Sequence, residues 1–143
     1  MSRRYQEEFY TRRVIIQALY NNLCEFDPDF AENALKHEHM LSEIKFDRAF
    51  FKQVVNYALS KWSAFSFAEY EKKAPISRCA QAVLRAALAE FDLGLAQGKI
   101  IIDEYLELSK QFCENETGVI NKILDVRMNN KDKKEDTSYS KLA

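Results

Sequence analysis

The stretch ISRCAQAVLRAALAEFDLGL, residues 76–95, decides the fold because it combines a helical hydrophobic period with clear boundaries. Pro75 precedes it, and Gly94 and Gly98 are predicted to end the helix. Apolar side chains recur at the three- and four-residue spacing of one helix face. We predict that the strongest helix of the chain lies here, with a stripe of Val83, Leu84, Ala87, Leu88, Phe91 and Leu95.

The N-terminal segment carries a second strong helical pattern. From Arg3 to Cys24, apolar side chains follow a helical period, and beyond Arg13 they occupy more than one side of the predicted helix. A helix of this kind packs between other helices and not on the surface. We therefore expect a buried opening helix whose stripe includes Phe9, Ile16, Leu19, Tyr20 and Leu23.

The rest of the chain divides into shorter predicted elements. Asp27-Pro28 is typical of a helix start, with proline at the first helical position. Asp47 is the expected N-cap of a helix that reaches Trp62. The other expected elements are a connector at 37–45, a weaker helix or loop at 63–74, helices from Lys99 to Phe112 and from about Gly118, and a disordered polar tail at 129–143.

The composition of the 143-residue chain favours an all-helical fold and excludes several classes of protein. Three glycines and two prolines are too few for the turns of a β-sandwich or barrel. With 47% hydrophobic and 30% charged residues, the chain is not a disordered protein. The 21 basic and 22 acidic residues give a net charge of −1, which excludes a polycationic nucleic-acid binder and confines any RNA contact to a local patch.

Cysteine and histidine spacing gives no sign of a metal site, a disulfide framework or a cofactor. Cys24, Cys79 and Cys113 form no CxxC pair, so we expect small buried apolar groups in a reducing cytosol. His37 and His39 would point about 200° apart on a helix and are interpreted as solvated connector residues. Neither a signal peptide nor an apolar run of the roughly 20 residues that a membrane span needs is present, so we expect a cytoplasmic protein without membrane contact.

Asp103, Glu104 and Glu107 form an acidic cluster that invites a catalytic hypothesis. Carboxylates four residues apart on a helix can hold a metal or act as acid and base. Lys99 and Lys110 flank the cluster at the spacing of ordinary surface ion pairs, and no phosphate-loop or nucleophile-elbow motif occurs. We predict a non-enzymatic binding protein and keep a small helical hydrolase built on Asp103 and Glu107 as a rival.

Four segments, taken together, carry a family resemblance. Residues 12–20, RRVIIQALY, are followed by 83–91, VLRAALAEF, then 99–110, KIIIDEYLELSK, and 120–125, INKILD. The first resembles the opening helix of the bacterial transcription antitermination factor NusB, and the other three are similar to later segments of that family in order and spacing. The four segments lie between residues 12 and 125 of the chain.

The resemblance implies a fold and a set of partners. The fold would be all-α, with about seven helices in two small packed bundles forming one domain at 1–128. The function would be transcription antitermination or ribosomal RNA processing within the RNA polymerase antitermination complex. The implied partners are boxA-type RNA and NusE, a ribosomal protein of the small subunit, and the protein itself would be a monomer or homodimer.

Candidate RNA-binding residues follow from the same resemblance, because the family binds RNA with an arginine-rich leading end. The first 23 residues hold four arginines and two glutamates, a local balance of +2. Tyr20 matches a family tyrosine that touches RNA, although a core residue with its hydroxyl at the surface is an equal alternative. Lys122 replaces a family glycine and would restore one cation, with an ordinary surface lysine as the alternative. The arginines are Arg3, Arg4, Arg12 and Arg13.

Departures from the family pattern leave several roles open. Val119 stands where the family can place an aromatic ring. The basic residues directly before the first helical segment are fewer than in the family, which would weaken contacts with phosphates. The segment from Trp62 to Leu84 is longer than the corresponding segment of the family by ~9 residues, roughly two helical turns. Trp62 is interpreted as a core residue. Arg85 must find partners if buried, either by bridging the two bundles or by contacting another molecule.

Two further rivals keep the fold and change the function. One is a diverged NusB-like protein-interaction module that has lost RNA binding. The other is the NusB-like accessory domain of a ribosomal RNA cytosine methyltransferase, which the short stretch after Asp125 disfavours.

Overall fold

A computed structural model describes residues 3–24 and 47–142 of the chain. The predicted short helix after Asp27-Pro28, the connector at 37–45 and both histidines lie outside these residues. No strand occurs in the described part, in agreement with the predicted all-α fold. The elements are α1 (Arg3–Cys24), α2 (Arg48–Ser60), α3 (Ala68–Glu71), α4 (Arg78–Leu93), α5 (Gly98–Phe112), a 3₁₀ helix (Glu114–Glu116) and α6 (Thr117–Leu142).

Helix boundaries coincide with local capping chemistry. Asp47 caps α2, as predicted, because its carboxylate accepts a hydrogen bond from the backbone N–H of Phe50 at 3.0 Å. Ser77 caps α4 by accepting from the N–H of Ala80 at 3.1 Å. Gly94 ends α4 at φ 68, a left-handed conformation that glycine adopts without steric cost.

Gly98 begins α5, so the prediction that it ends the preceding helix was wrong. A Cβ atom at this position would lie 3.2 Å from the ring of Phe91 and 3.3 Å from the sulfur of Met128. The glycine is therefore needed for close packing between α5 and its neighbours, and not for a turn.

Helix α4 lies at the centre of the molecule. Helices α1 and α2 pack against each other and against α4, while α5 and α6 pack against each other and also against α4. The two predicted bundles thus share one helix. Alanines allow this close approach, since five of them on α4 are fully buried: Ala80, Ala82, Ala86, Ala87 and Ala89.

The segment at 63–74 contains only the four-residue helix α3, in agreement with the predicted weak helix or loop. Phe65 and Phe67 are nevertheless buried in the core, as is Ile76 just before α4. The longer connection thus contributes apolar side chains to the bundle that contains α2.

The backbone of α6 is helical to Leu142. Among the side chains of α6 that the structure describes, the last in the core is Met128. Beyond it the sequence is polar but contains no glycine or proline, and a helix that already exists extends without a new nucleation cost.

Candidate nucleic-acid interface

One edge of α1 reaches solvent while the rest of the helix is covered. Thr11, Val14, Ile15, Ala18 and Leu19 are buried against neighbouring helices, in agreement with the predicted position of α1 between other helices. The accessible edge follows from the helical repeat, because residues spaced by four and three share a face. It consists of Arg13, Gln17, Tyr20 and Asn21.

Gln17, Tyr20 and Asn21 of this edge, with Ile16, form one side of a groove of about 590 Å³, a volume within the range of ligand-binding sites. The other side comes from Cys79 at the start of α4 and Phe112 at the end of α5. Tyr20 is 41% exposed, so its ring presents a face to solvent. The groove therefore combines an accessible aromatic ring with the side-chain amides of Gln17 and Asn21.

Arg13 is exposed and contacts Phe112, a residue of the groove wall. Its guanidinium carbon is 6.0 Å from the centroid of the Phe112 ring, at the outer limit of a cation–π contact. The contact orients the side chain without neutralising its charge. The charge of Arg13 is therefore accessible beside the groove.

Arg12 is not on this surface, which corrects its prediction as an RNA contact. Its side chain is 3% exposed, and it forms an ion pair with the fully buried Glu90 of α4 at 2.6 Å. Two hydrogen bonds from Nε and one from Nη2 reach the two carboxylate oxygens, and the guanidinium also lies over the ring of Phe50 at 5.5 Å. Arg12 thus binds α1 to α2 and α4, and it cannot reach a phosphate.

The Arg12–Glu90 pair keeps both charges in the interior. Burial alone would lower the pKa of the Arg12 guanidinium, but the hydrogen bonds and charge of Glu90 outweigh that effect and raise it. Burial, followed by the negative charge of Glu90, raises the pKa of the nearby Tyr105 hydroxyl well above its usual value. Arg12 therefore stays charged, and Tyr105 stays neutral, at any physiological pH.

The remaining predicted RNA residues do not all gather at the groove. Arg3 and Arg4 belong to the first turn of α1, on the N-terminal side of the groove. Lys122 is exposed on α6, a helix whose packing partners are α4, α5 and the 3₁₀ helix. The structure thus brings Arg13 and Tyr20 together on one edge and leaves Lys122 on another element.

Arg85 bridges elements within the bundle of α2 and α4. It is 8% exposed, donates from Nη1 to the carbonyl oxygen of Trp62 at 2.8 Å, and places its guanidinium carbon 3.9 Å from the Trp62 ring centroid. Burial lowers the pKa of Arg85. Arg85 thus forms a hydrogen bond inside the protein, but within one bundle and not between the two bundles as predicted. Trp62 packs against the core as expected.

The acidic cluster on α5 does not converge. Glu107 is 61% exposed and pairs with Lys110 at 3.3 Å, the surface ion pair expected from the spacing. Asp103 is exposed, whereas Glu104 is buried. Within the described ranges, no group of three or more histidine, cysteine or acidic residues is placed to hold a metal ion. No helix in that part of the chain is long and apolar enough to cross a membrane.

Comparison with known protein families identifies the family to which the chain belongs. The sequence profile of the NusB family matches residues 10–128, which includes the groove and the whole described core. The chain belongs to the NusB family. NusB proteins are non-enzymatic RNA-binding factors that act in transcription antitermination. Comparison with curated proteins finds no match.

Several residues of the NusB-like interface were missed by sequence reasoning. Gln17 and Asn21 follow Arg13 by four and eight positions, so a helical wheel places them on its face. Glu90 gave a different signal, because it is a carboxylate that directly follows the apolar run AALA of α4. No local pattern assigns Phe112 to the groove, since its neighbours there are distant in the sequence.

Proposed function

We propose that the chain binds boxA-type RNA together with the ribosomal protein NusE and acts in antitermination or ribosomal RNA processing. The observation that supports this most directly is the accessible edge of α1. It combines a cation at Arg13, an exposed ring at Tyr20 and two amides beside a groove. Single-stranded RNA is bound by this combination of phosphate contacts, base stacking and hydrogen bonds to base edges.

Each side chain then has a distinct task. The Tyr20 ring stacks on an unpaired base, the amides of Gln17 and Asn21 bind its polar edge, and Arg13 attracts the adjoining phosphate. Arg3 and Arg4 extend the positive charge along α1, and Lys122 contributes a more distant cation. Within this proposal the protein works in the cytoplasm as a non-enzymatic factor.

Binding to RNA by the isolated protein is expected to be weak, because the burial of Arg12 removes one of the two central arginines from the phosphate contacts. NusE would add its own basic surface and raise the affinity. A gel-shift titration with boxA-like RNA, with and without NusE, tests this. Equal affinity in both series, or no shift in either, would contradict the proposal.

Variants separate the roles within the groove. Tyr20→Ala should weaken binding by about 1–3 kcal/mol through loss of stacking, while Tyr20→Phe should retain most of the affinity.

Arg13→Gln should weaken binding and reduce the slope of log affinity against log salt by about one. Arg127→Gln is the matched control, because it removes the same charge from an exposed position ten residues beyond the start of α6.

A second candidate is the NusB-like protein-interaction module without RNA binding, and the burial of Arg12 favours it by thinning the basic surface. Arg13→Glu discriminates the two, since Arg12 cannot be reversed without disturbing the core. Loss of RNA binding and of function in cells supports the RNA-binding factor. Capture of NusE from a lysate, together with unchanged function of Arg13→Glu, supports the interaction module.

A further inference from the structure

A second cavity, of about 330 Å³, lies where α4 ends and α5 begins. Three helices supply its floor, with Phe91 from α4, Ile102 from α5 and Met128 from α6. All three side chains belong to the core or pack against it. The cavity therefore has a fixed apolar floor, and its volume lies within the range of ligand-binding sites.

The rim of this cavity is polar and carries more negative than positive charge. Asp103 of α5 and Asp125 of α6 are both exposed and line the same cavity from different helices. Lys99 supplies one positive charge, so the rim keeps a net negative charge. Between residues that the structure describes, no ion pair neutralises either aspartate. Both carboxylates are therefore available to a cation.

Exposed apolar side chains lie next to the two aspartates, outside the cavity. Ile100 is 47% exposed and shares a helix face with Asp103, and Val126, which follows Asp125, is 38% exposed. Exposed apolar surface beside a concave site is typical of a contact with another protein. A small molecule held inside the cavity would leave both side chains uncovered.

The cavity is separate from the groove. The two share no lining residue, and Cys79 of the groove and Phe91 of the cavity are about 18 Å apart along the axis of α4. The negative rim would repel the phosphates of RNA. The charge of the cavity therefore favours a basic partner.

We propose that this cavity is a docking site for an arginine side chain of a partner protein, whose neighbouring apolar residues cover Ile100 and Val126. The guanidinium donates hydrogen bonds to the carboxylates of Asp103 and Asp125, and the apolar stem of the arginine lies on the floor. Arginine fits better than lysine, because its flat guanidinium donates to two carboxylates at once and is more weakly hydrated. This inference goes beyond the proposed function and does not depend on RNA binding.

A chemical-shift titration of the isotope-labelled full chain tests the site. The probe is the capped tripeptide Leu-Arg-Leu, and the comparison is the same peptide with citrulline, which keeps the shape of arginine and lacks its charge. The arginine peptide should shift the amide signals of Gly98 and Lys99 and bind about tenfold more tightly than the citrulline peptide. Equal affinity of the two peptides, or shifts confined to the groove, would overturn the proposal.

Two variants test the charge contact. Asp103→Asn and Asp125→Asn should each weaken binding of the arginine peptide by about threefold, and their exposure means that neither substitution disturbs the core. Glu107→Gln is the matched control, because it removes an exposed carboxylate of α5 that does not line the cavity. Unchanged affinity of both aspartate variants, or an equal loss in the control, would contradict the assigned contacts.

A last comparison separates a protein partner from a free small molecule. N-acetyl-arginine amide carries the same guanidinium without the leucines, so it should bind about threefold more weakly than the tripeptide. Ile100→Ser should weaken the tripeptide and leave the affinity of the amide unchanged. Equal affinity of the amide and the tripeptide would assign the cavity to a small cationic ligand and overturn the docking role.

Discussion

Two adjacent arginines have opposite roles in this protein. Successive residues on a helix are about 100° apart, so Arg12 points into the core while Arg13 reaches solvent. The family resemblance predicted both as RNA contacts, because the family binds RNA with an arginine-rich leading end. Arg12 lies on the same helix face as the buried residues Ile16 and Leu19, and this position is the local signal of its burial. Its partner Glu90 is 78 positions away, and no local pattern pairs the two residues.

We expect Glu90→Gln to destabilise the protein by about 3–5 kcal/mol, because it leaves the Arg12 charge buried without a counter-charge. Urea unfolding of the variant measures the change. Glu107→Gln is the matched control: its partner Lys110 is 59% exposed, and a surface pair of this kind contributes about 0–1 kcal/mol. Equal effects of the two substitutions would show that the buried pair is not a structural link.

Arg85 gives a second prediction at this scale. Arg85→Lys keeps the charge but loses the flat guanidinium that stacks on Trp62, so we expect a loss of about 1 kcal/mol. Trp62 is the single tryptophan of the sequence, so its fluorescence reports on this contact directly. A variant with unchanged stability and an unchanged emission spectrum would contradict the stacking role.

At the scale of elements, much of the fold follows from local sequence. The period of apolar residues located α1, α4 and α5, and the capping role of Asp47 was recognised from its position before an apolar run. The start of α5 was misjudged, because the reason for Gly98 is its contact with Phe91 and Met128. That contact depends on packing between helices, which a single sequence does not display.

Two glycines give opposite predictions for the same substitution. Gly94→Ala should destabilise the protein by about 1–2 kcal/mol, since φ at this position is 68 and a Cβ is unfavourable there. Gly118→Ala should stabilise it by up to about 1 kcal/mol, because this residue is helical and nothing lies within 4 Å of an added Cβ. Thermal unfolding of both variants provides the measurement, and a stabilised Gly94→Ala would contradict the left-handed cap.

For the molecule as a whole, the family match ends where the described core ends. Met128 is the last core residue among the described side chains, and the NusB profile also ends at residue 128. We therefore propose that 1–128 is the folded domain. A chain that stops after Asn129 should keep its Tm within about 2 °C, less than the shift that 1 kcal/mol produces. A larger loss would place part of the folding energy in the last turns of α6.

The shared position of α4 has a consequence for how the protein unfolds. Because α1 and α2 cover one part of this helix and α5 and α6 cover another, neither group retains its apolar partner if α4 detaches. The two halves should therefore melt in a single all-or-none transition. Evolution, by the same reasoning, has little freedom to alter one half of such a molecule independently of the other.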